Sequence, residues 1–191
     1  MTEVQLIEKA KNGDQEAFTK LVLKYNERIY NLALRLLRNK EDAEDILQET
    51  FITVLEKLHT FDGKSGFFTW LYRIATNACL MKLRKKRPEV SDLPDNLSEY
   101  DNYESKIFVD WSQNPLADIQ NKEMKDAIDK AMEKLSDIYR TVFVLRDIEN
   151  MSIKETSDII GITEENVKIR LKRARMFLRD ELSKFFSESI V

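Results

Sequence analysis

The chain has 191 residues, 42% of them hydrophobic, and a formal net charge of −3. Four glycines and three prolines argue against a turn-rich β fold, and a single cysteine excludes an internal disulfide framework and fits a reducing compartment. The start MTEVQLIEKAKNGD lacks the basic residues and apolar run of a signal peptide, and no stretch approaches the roughly 20 apolar residues of a membrane span. We therefore expect a cytoplasmic protein that does not insert into membranes.

Helical periodicity runs through the first 88 residues. Apolar residues recur at helical spacing from about 15 to 38 and from about 41 to 58. The stripe of the second helix consists of Ala43, Leu47, Phe51, Val54, Leu55 and Leu58. The segment FFTWLYRIATNACLMKLRKK predicts a third helix, which must end near Pro88 because proline does not continue a helix.

Residues 89–121 lose this periodicity and carry eight acidic residues against one lysine, a composition typical of a linker. Helical stripes return after Pro115, and no strand pattern is visible. The stripe residues are Ile128, Ala131, Met132 and Leu135, then Tyr139, Val142, Phe143 and Arg146. The sequence predicts an all-α fold: two small helical domains, 1–88 and 122–191, joined by an acidic flexible linker.

The segment SIKETSDIIGITEENVKIRLKRARMFLR has the punctuation of a helix-turn-helix. Ser152 and Glu155 have the spacing of a capping box that starts one helix. Gly161 can adopt the positive φ that a turn requires, and Thr163 can cap a second helix. We therefore expect a helix-turn-helix in the second domain.

The second helix of this pair collects positive charge, with six basic residues and one acidic residue between Glu165 and Arg179. Projected at about 100° per residue, its apolar stripe consists of Val167, Leu171, Ala174 and Leu178. The basic residues on another face are Lys168, Lys172, Arg175 and Arg179, flanked by Arg170 and Arg173. Because a solvated surface helix would normally mix charge signs, this pattern favours insertion into the major groove of DNA.

An acidic face opposes the apolar stripe on the helix from about 41 to 58. Its members are Asp45, Gln48, Glu49 and Glu56, with Ile52 in the middle. An apolar residue ringed by carboxylates indicates a docking surface for a basic partner. Asp42, Asp45 and Glu49 could instead be metal ligands of a nuclease, but His59 is the only histidine in the chain. We expect no metal, no cofactor and no catalytic residues.

Three segments together resemble a bacterial RNA polymerase sigma factor of the extracytoplasmic-function (ECF) group. DAEDILQETF is similar to the polymerase-binding helix of that family, and FDGKSGFFTWLYRIATNACL to its promoter-melting element. LSDIYRTVFVLRDIENMSIKETSDIIGITEENVKIRLKRAR is similar to the domain that reads the −35 element. The resemblance covers roughly residues 8–88 and 114–182.

The resemblance implies promoter-specific transcription initiation with the polymerase core, promoter DNA and an inhibitory anti-sigma factor as partners. The acidic helix would dock on the clamp helices of the largest polymerase subunit, and the flap of the second-largest subunit would also be contacted. The residues implied in polymerase binding are Asp42, Asp45, Gln48, Glu49, Ile52 and Glu56.

The same resemblance assigns two sets of DNA-binding residues. Those implied at the −10 element are Phe61, Lys64, Ser65, Phe67, Arg73, Asn77, Lys82, Arg84 and Lys85. Those implied at the −35 element are Glu165, Asn166, Lys168, Ile169, Arg170, Lys172, Arg173 and Arg175. The chain departs from the family at Asp62, at Glu165–Asn166 and at Ile169, which concerns the promoter sequence rather than the class of function.

Opening a promoter requires bases to leave the stack, and aromatic rings with hydrogen-bonding amides can hold such bases. The segment from Phe61 to Asn77 offers both, although Trp70 is expected in the core. A helix-turn-helix regulator without a sigma role would explain residues 120–180 but not this segment or the acidic helix. Co-purification with the polymerase core distinguishes these hypotheses.

Overall fold

The computed structural model describes residues 2–86 and 122–188, and every regular element within these two ranges is helical. This confirms the all-α fold. The predicted linker, 89–121, lies outside the described residues. The chain divides into two compact units, Met1–Arg87 and Pro88–Val191, which are described separately below. None of the described helices is long and apolar enough to cross a lipid bilayer.

The first unit contains four α-helices: α1 (Glu3–Lys11), α2 (Gln15–Leu37), α3 (Lys40–Lys57) and α4 (Phe67–Lys86). A short 3₁₀ turn, Leu58–Thr60, follows α3. Side-chain caps fix the first residues of α2 and α3. The Asp14 carboxylate accepts a hydrogen bond from the Ala17 amide at 3.0 Å, and the Asn39 side chain accepts one from the Asp42 amide at 2.8 Å. The predicted bounds of α2 and α3, about 15 to 38 and 41 to 58, differ from the observed bounds by no more than one residue at each end.

The core of this unit is formed where α2 packs against α3 and α4. Its largest fully buried side chains are Leu21, Ile29, Leu32, Leu36, Ile46, Val54, Leu71 and Tyr72. Cys79 is also buried, and burial raises the pKa of its thiol to about 12. A thiol with such a pKa stays protonated at neutral pH, so Cys79 acts as a small core residue.

The predicted apolar stripe of α3 is partly wrong. The structure buries Ala43, Ile46, Thr50, Val54 and, just after the helix, Leu58. Leu55 is exposed, whereas Leu47 and Phe51 are half-buried. The inward face is thus centred closer to Ile46 and Thr50 than the apolar pattern predicted, because α3 is packed on two sides, by α2 and by α4.

The second unit contains α5 (Lys122–Lys134), α6 (Asp137–Phe143), α7 (Ile153–Ile160) and α8 (Glu164–Glu188), with a π-helical turn, Val144–Ile148, after α6. Its core confirms the predicted stripes of α5 and α8. The shared buried cluster is Ile128, Ala131, Met132, Leu135, Tyr139, Val142, Phe143, Val167, Leu171, Ala174 and Leu178.

Arg140 is a buried cation at the junction of α5 and α6. Its Nε atom donates to the Met132 carbonyl oxygen at 3.0 Å, and its guanidinium also donates to the Leu135 carbonyl. An ion pair with Asp137 at 3.1 Å balances the charge. The guanidinium therefore adds hydrogen bonds to carbonyl groups at and just after the end of α5, where the regular hydrogen bonds of the helix stop.

The predicted helix-turn-helix is confirmed in α7 and α8. The Ser152 hydroxyl accepts from the Glu155 amide at 3.1 Å while the Glu155 carboxylate accepts from the Ser152 amide at 2.8 Å. Gly161 ends α7 with φ of 77°, and the Thr163 hydroxyl accepts from the Asn166 amide at 3.2 Å. These contacts fix both the start of α7 and the turn that sets the direction of α8.

Candidate functional site

The acidic face of α3 is exposed as predicted. Asp45, Gln48, Glu49, Ile52 and Glu56 all face solvent in the first unit. Ile52 is 59% exposed, and Leu55, which the sequence had assigned to the stripe, is exposed near it. The face therefore presents two aliphatic side chains between carboxylates, a combination suited to a partner that is basic and partly apolar.

Asp42, which the resemblance implies in polymerase binding, does not lie on this exposed face. Its carboxylate is largely buried and forms ion pairs with Lys86 and, at 3.0 Å, with Lys82. Lys82 also reaches Asp45 at 2.8 Å. These three contacts join α3 to α4, because the acids and the lysines lie on neighbouring helices.

The charge pairing changes the proton affinities of this cluster. The hydrogen bond from Lys86, followed by that from Lys82, holds the pKa of Asp42 below its ordinary value against the opposing effect of desolvation. The hydrogen bonds to Asp45 and Asp42 raise the pKa of Lys82. Lys82, predicted as a DNA contact, is thus already paired in the structure.

Two of the predicted base-stacking rings are core residues. Phe61 and Phe67 are buried, with their ring centroids 5.5 Å apart in an edge-to-face arrangement. Phe61 also contacts Trp70 at 5.4 Å, and Phe67 contacts Tyr25 at 5.7 Å. The prediction that Phe61 and Phe67 stack on extruded bases is therefore wrong, because their faces are covered by other rings. Trp70 is half-buried in this cluster, in keeping with its expected core position.

The other predicted −10 residues are accessible to different degrees. Arg73, Asn77, Arg84 and Lys85 are exposed along α4, Lys64 is exposed in the loop after α3, and Ser65 is half-buried. Lys64 pairs with Asp62 at 2.8 Å. The sequence-based prediction missed Met81, which is exposed on the same face because it follows Asn77 by four residues.

A cleft of about 390 Å³ opens beside this loop. It is lined by α1 on one side and by the loop on the other. The lining residues are Glu3, Val4, Ile7, Glu8, Lys11, Phe61, Asp62, Gly63, Ser65, Gly66 and Phe67. The contribution of α1 could not be predicted from sequence, because nothing in its pattern indicates which loop it meets.

In α8 the exposed residues are concentrated in the first turns. Glu165, Asn166, Lys168, Ile169 and Lys172 face solvent, opposite the buried stripe. The predicted −35 residues Arg170, Arg173 and Arg175 are half-buried.

Two of these arginines already have partners within the second unit. Arg173 donates to the Tyr139 hydroxyl at 3.1 Å. Arg175 donates twice to the Asp147 carboxylate, at 2.8 and 2.6 Å, which ties α8 to the turn after α6. Fewer of the six basic side chains of α8 are therefore available for a partner than the sequence suggested.

No group of three or more His, Cys, Asp or Glu side chains within the described ranges is placed to hold a metal ion. Asp42, Asp45 and Glu49, considered above as metal ligands, lie along one helix, with Asp42 engaged by lysines. The carboxylates of Asp42 and Asp45 form ion pairs with the lysines of α4, and Asp45 and Glu49 contribute negative charge to the surface of α3.

Comparison with known proteins identifies both units. The family model for sigma-70 region 2 matches residues 21–89, and that for sigma-70 region 4 matches residues 125–178. The ECF RNA polymerase sigma factor SigW of Bacillus subtilis is 39% identical over 182 residues, which span 92% of this chain and 94% of the relative.

Two solved complexes are similar in structure. CnrH, in complex with the cytosolic domain of CnrY, has a TM-score of 0.64 and 26% identity, with 94% of this chain and 96% of that chain covered. RpoE of Bartonella quintana, in complex with the anti-sigma factor NepR, has a TM-score of 0.65 and 25% identity, with 87% and 96% covered.

The helical first unit and the helix-turn-helix unit together define a two-domain transcription initiation factor of the sigma-70 type. The chain belongs to the ECF group of RNA polymerase sigma factors. It therefore acts with RNA polymerase at promoter DNA.

Proposed function

We propose that this sigma factor binds the polymerase core through the exposed acidic face of α3. The observation that carries the proposal is the exposure of Ile52 and Leu55 between Asp45, Glu49 and Glu56. Carboxylates would pair with a basic helix pair, such as the clamp helices of the largest subunit, while the two aliphatic side chains would fill apolar pockets on it. The second unit would contact the flap of the second-largest subunit.

In the same proposal, the two units contact different forms of promoter DNA. The exposed face of α4, with Arg73, Asn77, Arg84 and Lys85, suits the single-stranded −10 region because it combines phosphate-binding cations with an amide that can both donate and accept. The first turns of α8 suit the −35 duplex, because a helix-turn-helix inserts that part of its second helix into the major groove.

Regulation by an anti-sigma factor is part of the proposal. It is supported by the solved complex of RpoE with the anti-sigma factor NepR, since RpoE is similar to this chain over most of its length. Such an inhibitor would compete for surfaces that the polymerase uses. We also propose that the protein works in the cytoplasm, where polymerase and promoter DNA are available to it.

Replacing Ile52 with Asp tests the docking proposal. Because the side chain is 59% exposed, I52D should leave the melting temperature nearly unchanged, yet it should lower co-purification with core polymerase at least tenfold by adding an unpaired charge to the contact. Asp45→Arg should act in the same direction. The measurements are core pull-down and run-off transcription with reconstituted holoenzyme.

Leu23→Asp is the matched control, because Leu23 is 66% exposed but lies on α2. It should retain core binding. If L23D and I52D weaken binding equally, the docking surface is not the α3 face. If wild-type protein does not bind core polymerase at all, the chain acts as a helix-turn-helix regulator without a sigma role.

A further inference from the structure

Ile169 lies on the outward face of the helix that we propose reads the −35 element. At about 100° per residue, its direction lies about 170° from the mean direction of Val167, Leu171, Ala174 and Leu178, the buried stripe of α8. Its side chain is 39% exposed, and it is the one exposed large apolar side chain between residues 164 and 184 of α8. An aliphatic residue therefore lies near the centre of the outward face of α8.

Polar residues surround this aliphatic side chain. Glu165 lies one turn before it and Lys172 almost one turn after it, on the same face of the helix, and both are exposed. Lys168 is the preceding residue and is also exposed. When α8 enters a groove, the charged neighbours can reach phosphates on either side while the centre of the face meets the base edges.

The bases offer one apolar group in the major groove, the 5-methyl of thymine. An isoleucine side chain has no donor or acceptor, so against any other base edge it would remove water from polar atoms without replacing their hydrogen bonds. Against a thymine methyl it buries apolar surface on both sides. The selectivity thus has two sources: the lost hydrogen bonds of polar base edges at the other bases, and the apolar contact with the methyl group at thymine.

We propose that Ile169 is a specificity-determining residue that selects thymine at one position of the −35 element through its 5-methyl group. The proposal deepens the function proposed for α8 and rests on it.

The test separates the methyl group from every other property of the base. Holoenzyme assembled from the full chain and core polymerase selects duplexes from a library with a randomised −35 region. The recovered duplex is then remade with uracil in place of each thymine in turn, a change that removes only the 5-methyl. Competition binding gives the dissociation constant for each duplex.

Wild-type holoenzyme should lose roughly three- to tenfold in affinity at one thymine-to-uracil position and little at the others, since one buried methyl group is removed. Ile169→Ala should bind the two duplexes within about twofold of each other. A cytosine at that position should bind better when it carries a 5-methyl group, and only with Ile169 present. Ile138→Ala, a truncation of a 44% exposed isoleucine on α6, should behave as wild type.

Sequence-specific duplex binding without any uracil effect would overturn the role of Ile169 and leave the function of α8 intact. The same holds if I169A keeps the full uracil effect. If the holoenzyme selects no −35 sequence at all, the proposed function of α8 fails, and the role of Ile169 fails with it.

Discussion

At the scale of single residues, Asp42 connects two helices that carry different surfaces. Its carboxylate pairs with Lys86 and Lys82 on α4, while its backbone amide is capped by Asn39 at the start of α3. Burial of a carboxylate is favourable only if such partners are present. Asp42 thereby fixes α4, and with it the face that holds Arg73 and Asn77, relative to the acidic face of α3.

Asp42→Asn should destabilise the protein in a pH-dependent way. Because the pKa of Asp42 is lowered on folding, its contribution to stability is fully present above its ordinary pKa of 3.8 and is lost as pH falls through the folded-state value. The melting temperature of D42N should therefore lie below that of wild type at pH 7, and the gap should narrow as pH falls below about 5.

Asp45→Asn is the control for this prediction. Asp45 is largely exposed and pairs with Lys82, a lysine that Asp42 also engages, so its removal should change stability by less than about 1 kcal/mol. Thermal melts of the three proteins between pH 7 and pH 3 provide the comparison. A gap between wild type and D42N that stays constant over this range would contradict the assigned role of the carboxylate.

The exposure of Ile52 could be predicted from the sequence, whereas the burial of Phe61 and Phe67 could not. Ile52 was predicted to be exposed from its position among carboxylates, and it is. Phe61 and Phe67 were predicted at the DNA, but they are buried because α2 and α4 bring Tyr25 and Trp70 over them. Burial of a ring next to a loop depends on tertiary contacts that periodicity does not contain.

At the scale of elements, the turn between α7 and α8 sets how α8 is presented. Gly161 has φ of 77°, a conformation that is unfavourable for residues with a Cβ atom. No heavy atom lies within 4 Å of a Cβ placed there, so the cost of a substitution comes from the backbone alone.

Gly161→Ala should therefore lower the free energy of unfolding by about 1–2 kcal/mol. Gly161→Asn should lower it less, because asparagine tolerates the left-handed conformation better than alanine. Urea denaturation followed by circular dichroism gives both values. If alanine and asparagine have equal effects, the loss is not due to backbone strain and the turn has another role for glycine.

Local patterns were enough to predict this turn, whereas the helix-to-helix contacts were not predictable. The capping box joins Ser152 and Glu155, which are three positions apart, and its chemistry is complete within that short segment. The Arg175 pair with Asp147 and the Lys82 pair with Asp42 join residues 28 and 40 positions apart. The sequence showed the charges but not these pairings, so it overestimated the number of unpaired cations on the two faces that we propose bind DNA.

At the scale of the whole molecule, the proposed function divides promoter recognition between the two units. The α4 face offers exposed cations and an amide for unstacked bases, whereas the α8 face is shaped for a duplex groove. Because each unit has its own core, substitutions on one surface should leave the fold of the other unchanged. The two binding activities should therefore be separable in the assembled holoenzyme.

The double variant Arg73→Ala with Asn77→Ala should weaken binding of a single-stranded −10 oligonucleotide and slow promoter opening, while −35 duplex binding stays at the wild-type level. Lys168→Ala with Lys172→Ala should do the reverse and should lower the salt dependence of duplex binding by about one unit of slope for each phosphate that is no longer neutralised. Core binding should be equal for all proteins, since neither pair lies on the acidic face of α3.

If the α4 variant lowers both activities equally while core binding is normal, the two surfaces do not act on separate forms of DNA. If that variant keeps its single-strand binding, α4 makes only a general electrostatic contact with DNA. The lysines near the end of the helix would then be sufficient for binding without the Asn77 amide and the Arg73 guanidinium.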